Sequence, residues 1–151
     1  MAMKWELDLA RPADCDTVIP LVRAFHEFEG VELTEAVRQT SVRRLLAEPA
    51  LGGIWLIDCD GEIAGYIALC LGFSLEFGGH DAFIDELYLE PPFRGRGGGK
   101  IALEMIKKLA RERGVEALHL EVARDNAAAQ RLYAGAGLRA REHYVLMSVR
   151  L

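Results

Sequence analysis

The pattern of apolar and polar positions divides the chain into short strands and amphipathic helices. Alternation from Trp5 to Leu9 predicts a first strand. Apolar residues then recur at helical spacing from Arg11 to Gly30, although Pro20 predicts a kink in this helix or a later start. A second helix is predicted after it, with Thr34 as its N-cap and Pro49 beyond its end.

The middle of the chain contains three segments rich in Ile, Leu and aromatic residues. Gly53 to Cys59 and Ile63 to Phe73 are separated by Asp60-Gly61, a pair favoured in tight turns, so they predict a β-hairpin. A polar connection from Ser74 to Asp81 then leads to a third strand, Ala82 to Leu89, which ends before two prolines.

Helices and strands alternate in the second half of the chain. A helix that ends at Gly114 precedes a strand from Ala117 to Val122. Small residues from Ala127 to Ala134 predict a further helix, and Tyr144 to Val149 predicts a last strand. This order of elements predicts one α/β domain that spans residues 1–151.

Composition narrows the class of protein. With 151 residues, 51% of them hydrophobic, the chain can bury one sizeable core. The net charge of −5 argues against nucleic-acid binding, and no apolar run approaches the length of a membrane span. The start of the chain lacks the apolar core of a secretion signal, and three widely spaced cysteines favour reduced thiols in a cytoplasmic protein. The four histidines share no spacing, so no metal site is predicted.

A glycine-rich basic turn joins the strand that ends at Leu89 to the following helix. Its residues are Arg94-Gly95-Arg96-Gly97-Gly98-Gly99-Lys100. Backbone N–H groups at a helix N-terminus lack internal partners, and the helix dipole favours negative charge there. The glycines let this backbone approach a ligand closely, and the three basic side chains add cationic donors. The turn therefore predicts a phosphate-binding site.

Spacing separates the nucleotide motifs that share this description. The sequence does not match a Walker A loop, because Arg94 and Ile101 occupy the positions where that motif needs Gly and Ser or Thr. A dinucleotide-binding turn fits loosely, with small residues at Gly97, Gly99 and Ala102. That motif places its glycines directly after a strand, and here several residues intervene. A nucleotide-dependent oxidoreductase stays open as an alternative.

The pattern Arg94-x-x-Gly97-x-Gly99 closely resembles the acetyl-CoA loop of the GNAT superfamily of N-acetyltransferases. Phe83 to Leu89 looks like the central strand of that family. Leu120 to Val122, Asn126 and Leu132 to Leu138 look like its next strand, helix and turn, in the same order. The resemblance implies a single-domain α/β fold with a mixed central β-sheet flanked by helices, and splayed parallel strands around the cofactor.

The resemblance also implies where the cosubstrate acetyl-CoA would lie. Backbone groups of Leu87, Tyr88 and Leu89 would line the gap between the splayed strands, and Asn126 would contribute beyond it. Tyr133 matches the family tyrosine that protonates the departing thiolate. In the loop, Gly98 replaces the usual aliphatic residue, which should loosen the start of the helix. Leu138 replaces the usual Phe after the last glycine turn, a loss of volume that the core could absorb.

The base that deprotonates the substrate amine is chosen among three carboxylates, with ordered water as a further route. Glu86 ranks first, Glu121 second and Asp85 third. Glu86 and Asp85 are neighbours in a strand, so only one of them can point into the gap unless a bulge intervenes. Glu121 matches the base position of some ribosomal-protein acetyltransferases in the superfamily.

The resemblance implies transfer of an acetyl group from acetyl-CoA to a primary amine within a ternary complex. Ser74 to Gly79, followed by Phe83 to Tyr88, looks somewhat like the branch that acetylates polyamines and diamino acids. We therefore expect a small polyamine, diamino acid or amino acid, ahead of a protein N-terminus or lysine. His26 is expected on an exposed polar helix face, and Glu29 is a weaker candidate for an amine contact. A CoA-binding regulatory module without turnover, and a homodimer, stay open.

Overall fold

The computed structural model describes residues 2–151, and a five-stranded mixed sheet forms its centre. The strands lie in chain order: β1 (Trp5–Leu9), β2 (Gly52–Cys59), β3 (Glu62–Ser74), β4 (Gly79–Leu89) and β5 (Ala117–His119). The first three neighbouring pairs are antiparallel, whereas β4 and β5 are parallel. The β2–β3 hairpin turns at Asp60-Gly61, both with positive φ, as their sequence predicts.

Four α-helices flank this sheet: α1 (Cys15–Glu29), α2 (Glu35–Ala47), α3 (Gly98–Glu112) and α4 (Ala127–Gly135). Three short 3₁₀ turns, at Pro12–Asp14, Pro49–Leu51 and Pro91–Phe93, precede α1, β2 and the glycine-rich loop. The predicted caps are present. The Thr34 hydroxyl accepts a hydrogen bond from Val37 N at 3.3 Å, and Gly30 ends α1 in the left-handed conformation.

The two faces of the sheet bury two separate apolar clusters. Helices α1 and α2 cover one face, where Val18, Val22, Val42 and Leu46 pack against Leu56, Tyr66 and Tyr88. Helix α3 covers the other, where Leu103 and Ile106 pack against Trp55, Ile67 and Ile84. Neighbouring residues such as Trp55 and Leu56 serve opposite clusters, because successive side chains of a strand point to opposite faces.

A β-bulge interrupts β4 at Asp85. Ala68 pairs with Glu86 and the next residue of β3, Leu69, pairs with Ile84, so Asp85 has no partner opposite it. Ile84 and Leu87 both pack into the cluster under α3. Asp85 and Glu86 between them therefore lie together on the face toward α1 and α2. Both carboxylates were expected to face one side only if a bulge intervened, and this bulge is present.

The parallel strands separate where the site is expected. The β4–β5 ladder ends at the pair Phe83 and His119, whereas β4 continues to Leu89. This confirms the splayed arrangement. Strand β5 is also shorter than predicted: it was expected to reach Val122, but it ends at His119.

Two other sequence predictions need correction. Helix α1 begins at Cys15, so its start is not delayed to Pro20, which is the exposed sixth residue of the helix and whose missing N–H removes one internal hydrogen bond. The predicted strand from Tyr144 to Val149 is wrong, because this segment is irregular and its apolar side chains are largely exposed. Local alternation favours a strand, but the strand forms only where a neighbour pairs with it. No helix within residues 2–151 is long and apolar enough to cross a membrane.

Candidate active site

The glycine-rich loop presents a continuous run of free backbone donors at the start of α3. Gly95 and Gly97 have φ of 72° and 85°, values that favour glycine. The first N–H to find a backbone acceptor is that of Ile101, which donates to Gly97 O at 3.2 Å. The six amides from Gly95 to Lys100 donate to no acceptor within residues 2–151. Such a cradle fits the phosphate groups of acetyl-CoA.

Gly98 tightens the start of α3, contrary to the sequence expectation. A Cβ at this position would overlap the ring of Trp5, which comes from β1 and is buried. The indole therefore occupies the space that an aliphatic side chain would take. Trp5 also packs with Ile57 and Ala102, so the loop is anchored to the edge of the sheet.

Arg94 reaches back over the end of β4. Its Nε–H donates to Leu89 O at 2.7 Å, and its guanidinium lies over the rings of Phe28 and Tyr88, 5.2 and 5.4 Å from their centroids. This fixes the side chain between the loop and the strand. Arg96 and Lys100 are exposed.

The free edge of β4 carries the backbone groups expected to bind the cosubstrate. Glu90 N donates to Ala64 O at 2.8 Å, so the alternation of an antiparallel ladder turns Tyr88 toward β3 as well. The N–H and C=O of Leu87 and Leu89 therefore point away from β3, on the side where β5 has ended. Tyr88 therefore differs from Leu87 and Leu89: its backbone groups pair with β3, and its ring is buried beside α1.

A cavity of about 130 Å³ lies where the two strands diverge. It is lined by Phe83, Ile84, Asp85 and Glu121, so two of the three predicted carboxylates share one space. Glu121 lies beyond the end of β5 and is exposed. The cavity brings two carboxylates to one mainly polar space, which suits a cationic amine.

Glu86, the third carboxylate, is largely buried and both of its oxygens accept hydrogen bonds. His26 Nε2 lies 2.6 Å from Oε2, and the Tyr66 hydroxyl donates to Oε1 at 2.9 Å. Burial raises the pKa of Glu86 above its ordinary value, and the contacts with His26 oppose that rise. A carboxylate with a raised pKa is a stronger base than a solvated one. Burial also raises the pKa of Tyr66 far above its usual range, so its hydroxyl stays a donor.

Tyr133 lies on α4 and is half-buried against the cluster under α3. Its hydroxyl has no hydrogen-bond partner among residues 2–151. Burial raises its pKa, with a smaller contribution from Glu29 at the end of α1, so the phenol keeps its proton near neutral pH. Asn126 caps α4, because its Oδ1 accepts from Ala129 N at 3.1 Å.

Sequence reasoning missed the side chains that surround Glu86. His26 was expected to be exposed, and this is wrong: its residue exposure is 6%, and it contacts Glu86. The signal was present, since Val18, Val22 and His26 are each four residues apart and form one helical face. No local pattern marks Arg38, which is buried beside His26, or Tyr66 on β3.

A family model described as the acetyltransferase (GNAT) family matches residues 21–138. The chain belongs to the GNAT family of acetyltransferases. The GNAT fold accounts for the splayed strands and for the glycine-rich loop before α3. Like other members, the protein is an N-acetyltransferase that depends on acetyl-CoA as cosubstrate.

Individual relatives agree with this family. An uncharacterized N-acetyltransferase of Archaeoglobus fulgidus is 32% identical, over 85% of this chain and 91% of the relative. A thialysine N-epsilon-acetyltransferase of Bos taurus is 23% identical, over 85% of this chain and 80% of the relative. Among solved structures, an integron cassette protein from the mobile metagenome of the Cole Harbour Salt Marsh superposes with a TM-score of 0.83. It is 32% identical, and the match covers 95% of this chain and 89% of that protein.

Proposed function

We propose that this N-acetyltransferase transfers the acetyl group of acetyl-CoA to the primary amine of a small cationic substrate, such as a polyamine, a diamino acid or an amino acid. The observation that carries the proposal is the set of three carboxylates beside the free edge of β4. Asp85 and Glu121 line the cavity between the splayed strands, and the β4 bulge places Glu86 on the same face as Asp85.

The cosubstrate would be held mainly by backbone groups. The amides from Gly95 to Lys100 would bind its phosphates, assisted by the charges of Arg94, Arg96 and Lys100. The N–H groups of Leu87 and Leu89 and the C=O of Leu87 would bind its extended arm along the strand edge, while the C=O of Leu89 already accepts from Arg94. Asn126 holds the start of α4, which carries Tyr133. When bound, acetyl-CoA supplies an activated acetyl thioester.

The protein would supply the proton transfers. An amine near neutral pH is largely protonated, so it must lose a proton before its lone pair can attack the acetyl carbon. We assign this role to Glu86, whose burial raises its pKa. Tyr133 would give its proton to the departing sulfur, because its own raised pKa keeps it protonated until then. The nitrogen would lose its second proton to solvent as the amide forms, and solvent would reprotonate the phenol. Direct transfer in a ternary complex needs no residue to carry the acetyl group.

The remaining carboxylates would select the substrate. A substrate with a second cationic group could leave that group beside Asp85 and Glu121 while its reacting amine approaches Glu86. Opposite charges in a partly enclosed space attract more strongly than in water. The similarity to a thialysine acetyltransferase is consistent with a diamino acid, since thialysine resembles lysine.

The test is a panel assay with acetyl-CoA in which free CoA is read out by thiol colour. The panel contains polyamines, diamino acids, amino acids, short peptides and monoamines matched in length to the diamines. We expect the diamines to have a higher kcat/KM than their matched monoamines. A preference for peptides with a free N-terminus would favour a protein acetyltransferase. Tight acetyl-CoA binding without turnover of any amine would favour a regulatory module.

A further inference from the structure

The buried polar and charged side chains within residues 2–151 are His26 on α1 and Arg38 on α2, with exposures of 6% and 7%. Neither has a role in the chemistry above. Burying a guanidinium is costly unless each donor finds a partner, so its position needs a physical reason.

Arg38 determines which nitrogen of His26 carries the ring hydrogen. Its Nε–H donates to His26 Nδ1 at 3.1 Å, and a guanidinium can only donate. Nδ1 must therefore be the acceptor, which leaves the hydrogen on Nε2. That nitrogen lies 2.6 Å from Glu86 Oε2 and donates to it.

The guanidinium of Arg38 is itself held by hydrogen bonds to half-exposed Glu35 and to the backbone of Leu33. Its Nη1 donates to Glu35 Oε2 at 2.5 Å, and its Nη2 donates to Leu33 O at 3.4 Å. Glu35 also accepts from Arg23 and Gln39, so the carboxylate that holds Arg38 is fixed by partners from both α1 and α2. A continuous chain of hydrogen bonds thus runs from half-exposed Glu35 to the carboxylate in the site.

We propose that Arg38 and His26 are positioning residues for Glu86, and that Arg38 acts by fixing the Nε2–H tautomer of His26. The inference rests on the role proposed for Glu86. With His26 on Oε2 and the Tyr66 hydroxyl on Oε1, the carboxylate is held at both ends by donors. Without Arg38, only the contact with Glu86 would favour the Nε2–H form, so a fraction of the rings would carry the hydrogen on Nδ1 and lose the donor that holds Oε2.

The tautomer can be measured without a substrate, by ¹⁵N NMR of the histidine rings. In the wild type we expect His26 to show the Nε2–H pattern, with His26→Gln identifying its signals. Arg38→Met should convert it to a mixture of tautomers, whereas Arg38→Lys, which keeps a donor, should retain more of the original pattern. Arg44→Met on the same helix removes an arginine from an exposed pair and is the matched control. An Nδ1–H pattern in the wild type, or no change in Arg38→Met, overturns the proposal.

Kinetics then separate positioning from general stabilisation. We expect Arg38→Met to lower kcat about 10-fold with little change in the KM for acetyl-CoA, and Arg38→Lys to recover part of it. In a Glu86→Gln background we expect Arg38→Met to lower kcat less than about 2-fold, because Arg38 affects kcat through Glu86. An equal loss in both backgrounds, or no loss where Glu86→Gln is impaired, overturns the inference alone. If the wild type acetylates no amine, the proposed function fails and the tautomer still decides whether Arg38 orients Glu86.

Discussion

The two sides of the site are built in different ways. The side proposed for the cosubstrate, at the start of α3, consists of consecutive residues whose backbone amides are free and whose glycines allow close approach. The side proposed for the substrate consists of side chains brought together from α1, α2, β3 and β4. His26 and Glu86, for example, are 60 residues apart in the chain. One side depends on local backbone conformation, and the other depends on the assembled fold.

This difference explains how tolerant each side should be. A backbone cradle is retained under most side-chain changes, provided that the turn keeps its conformation. A chain of buried hydrogen bonds loses its function when one donor is removed, because the partner is left unsatisfied. The cosubstrate side suits a ligand shared by the whole family. The substrate side is where members of one family can differ.

The largest effect is expected at Tyr133 on α4, the residue proposed as the general acid. Tyr133→Phe keeps the ring and its packing against the α3 cluster but removes the hydroxyl. We expect kcat to fall roughly 10²–10⁴-fold, the usual scale for a lost general acid, while the Kd for acetyl-CoA and the melting temperature change little. Steady-state kinetics measure kcat, and calorimetry measures the Kd for acetyl-CoA and the melting temperature. An undiminished kcat would show that Tyr133 is not the general acid.

A second prediction concerns the cationic part of the cosubstrate side. Arg94→Ala removes a charge beside the six free amides and opens the end of β4, where Arg94 now binds Leu89 O. Losing a charge-assisted contact costs about 1.5–3 kcal/mol, which corresponds to roughly a 10- to 100-fold rise in the Kd for acetyl-CoA.

Lys108→Ala, on the exposed side of α3, is the control for the loss of one positive charge. It should leave the Kd nearly unchanged. If both variants weaken binding equally, general attraction by the charge of the protein accounts for the effect, and the loop has no special part in it.

The third prediction tests the anchoring of the loop. Gly98→Ala places a methyl group against the Trp5 ring, and overpacking of this kind costs about 1–3 kcal/mol of stability. Urea unfolding measures the loss. Gly135→Ala is the matched control, because a Cβ there meets nothing within 4 Å. In a Trp5→Leu background, Gly98→Ala should cost less stability than it does in the wild type, because a smaller side chain replaces the indole. An equal cost in both backgrounds would show that the loss at Gly98 comes from the backbone of the loop.

The same difference decides how much could be predicted from sequence. The glycine loop, the helix cap at Thr34 and the hairpin turn at Asp60 depend on residues close in the chain, and all are found as predicted. The bulge at Asp85 and the contact of His26 with Glu86 depend on distant partners, and although the spacing of Val18, Val22 and His26 marks a buried helical face, no local pattern shows what His26 contacts there. The segment from Tyr144 to Val149 shows the opposite error, because a favourable local pattern does not form a strand without a paired neighbour.

The smallest effect is expected at Glu35, at the outer end of the hydrogen-bond chain. Arg23, and then Gln39, hold the pKa of this carboxyl down from 4.5 to about 2. A carboxyl whose pKa is lower in the folded protein stabilises the fold fully above its unfolded pKa, and this contribution is lost as the pH falls toward about 2. The side chain is half-exposed, so solvent screens the pair and the gain is modest. Urea unfolding of the wild type and of Glu35→Gln should differ at about pH 6, and the difference should narrow as the pH falls below about 4.5 and close only near about pH 2. Glu48→Gln removes an exposed carboxylate that accepts from Arg44 on the same helix, and should give a smaller difference at every pH. A constant gap between wild type and Glu35→Gln would mean that Glu35 holds Arg38 by packing rather than by charge.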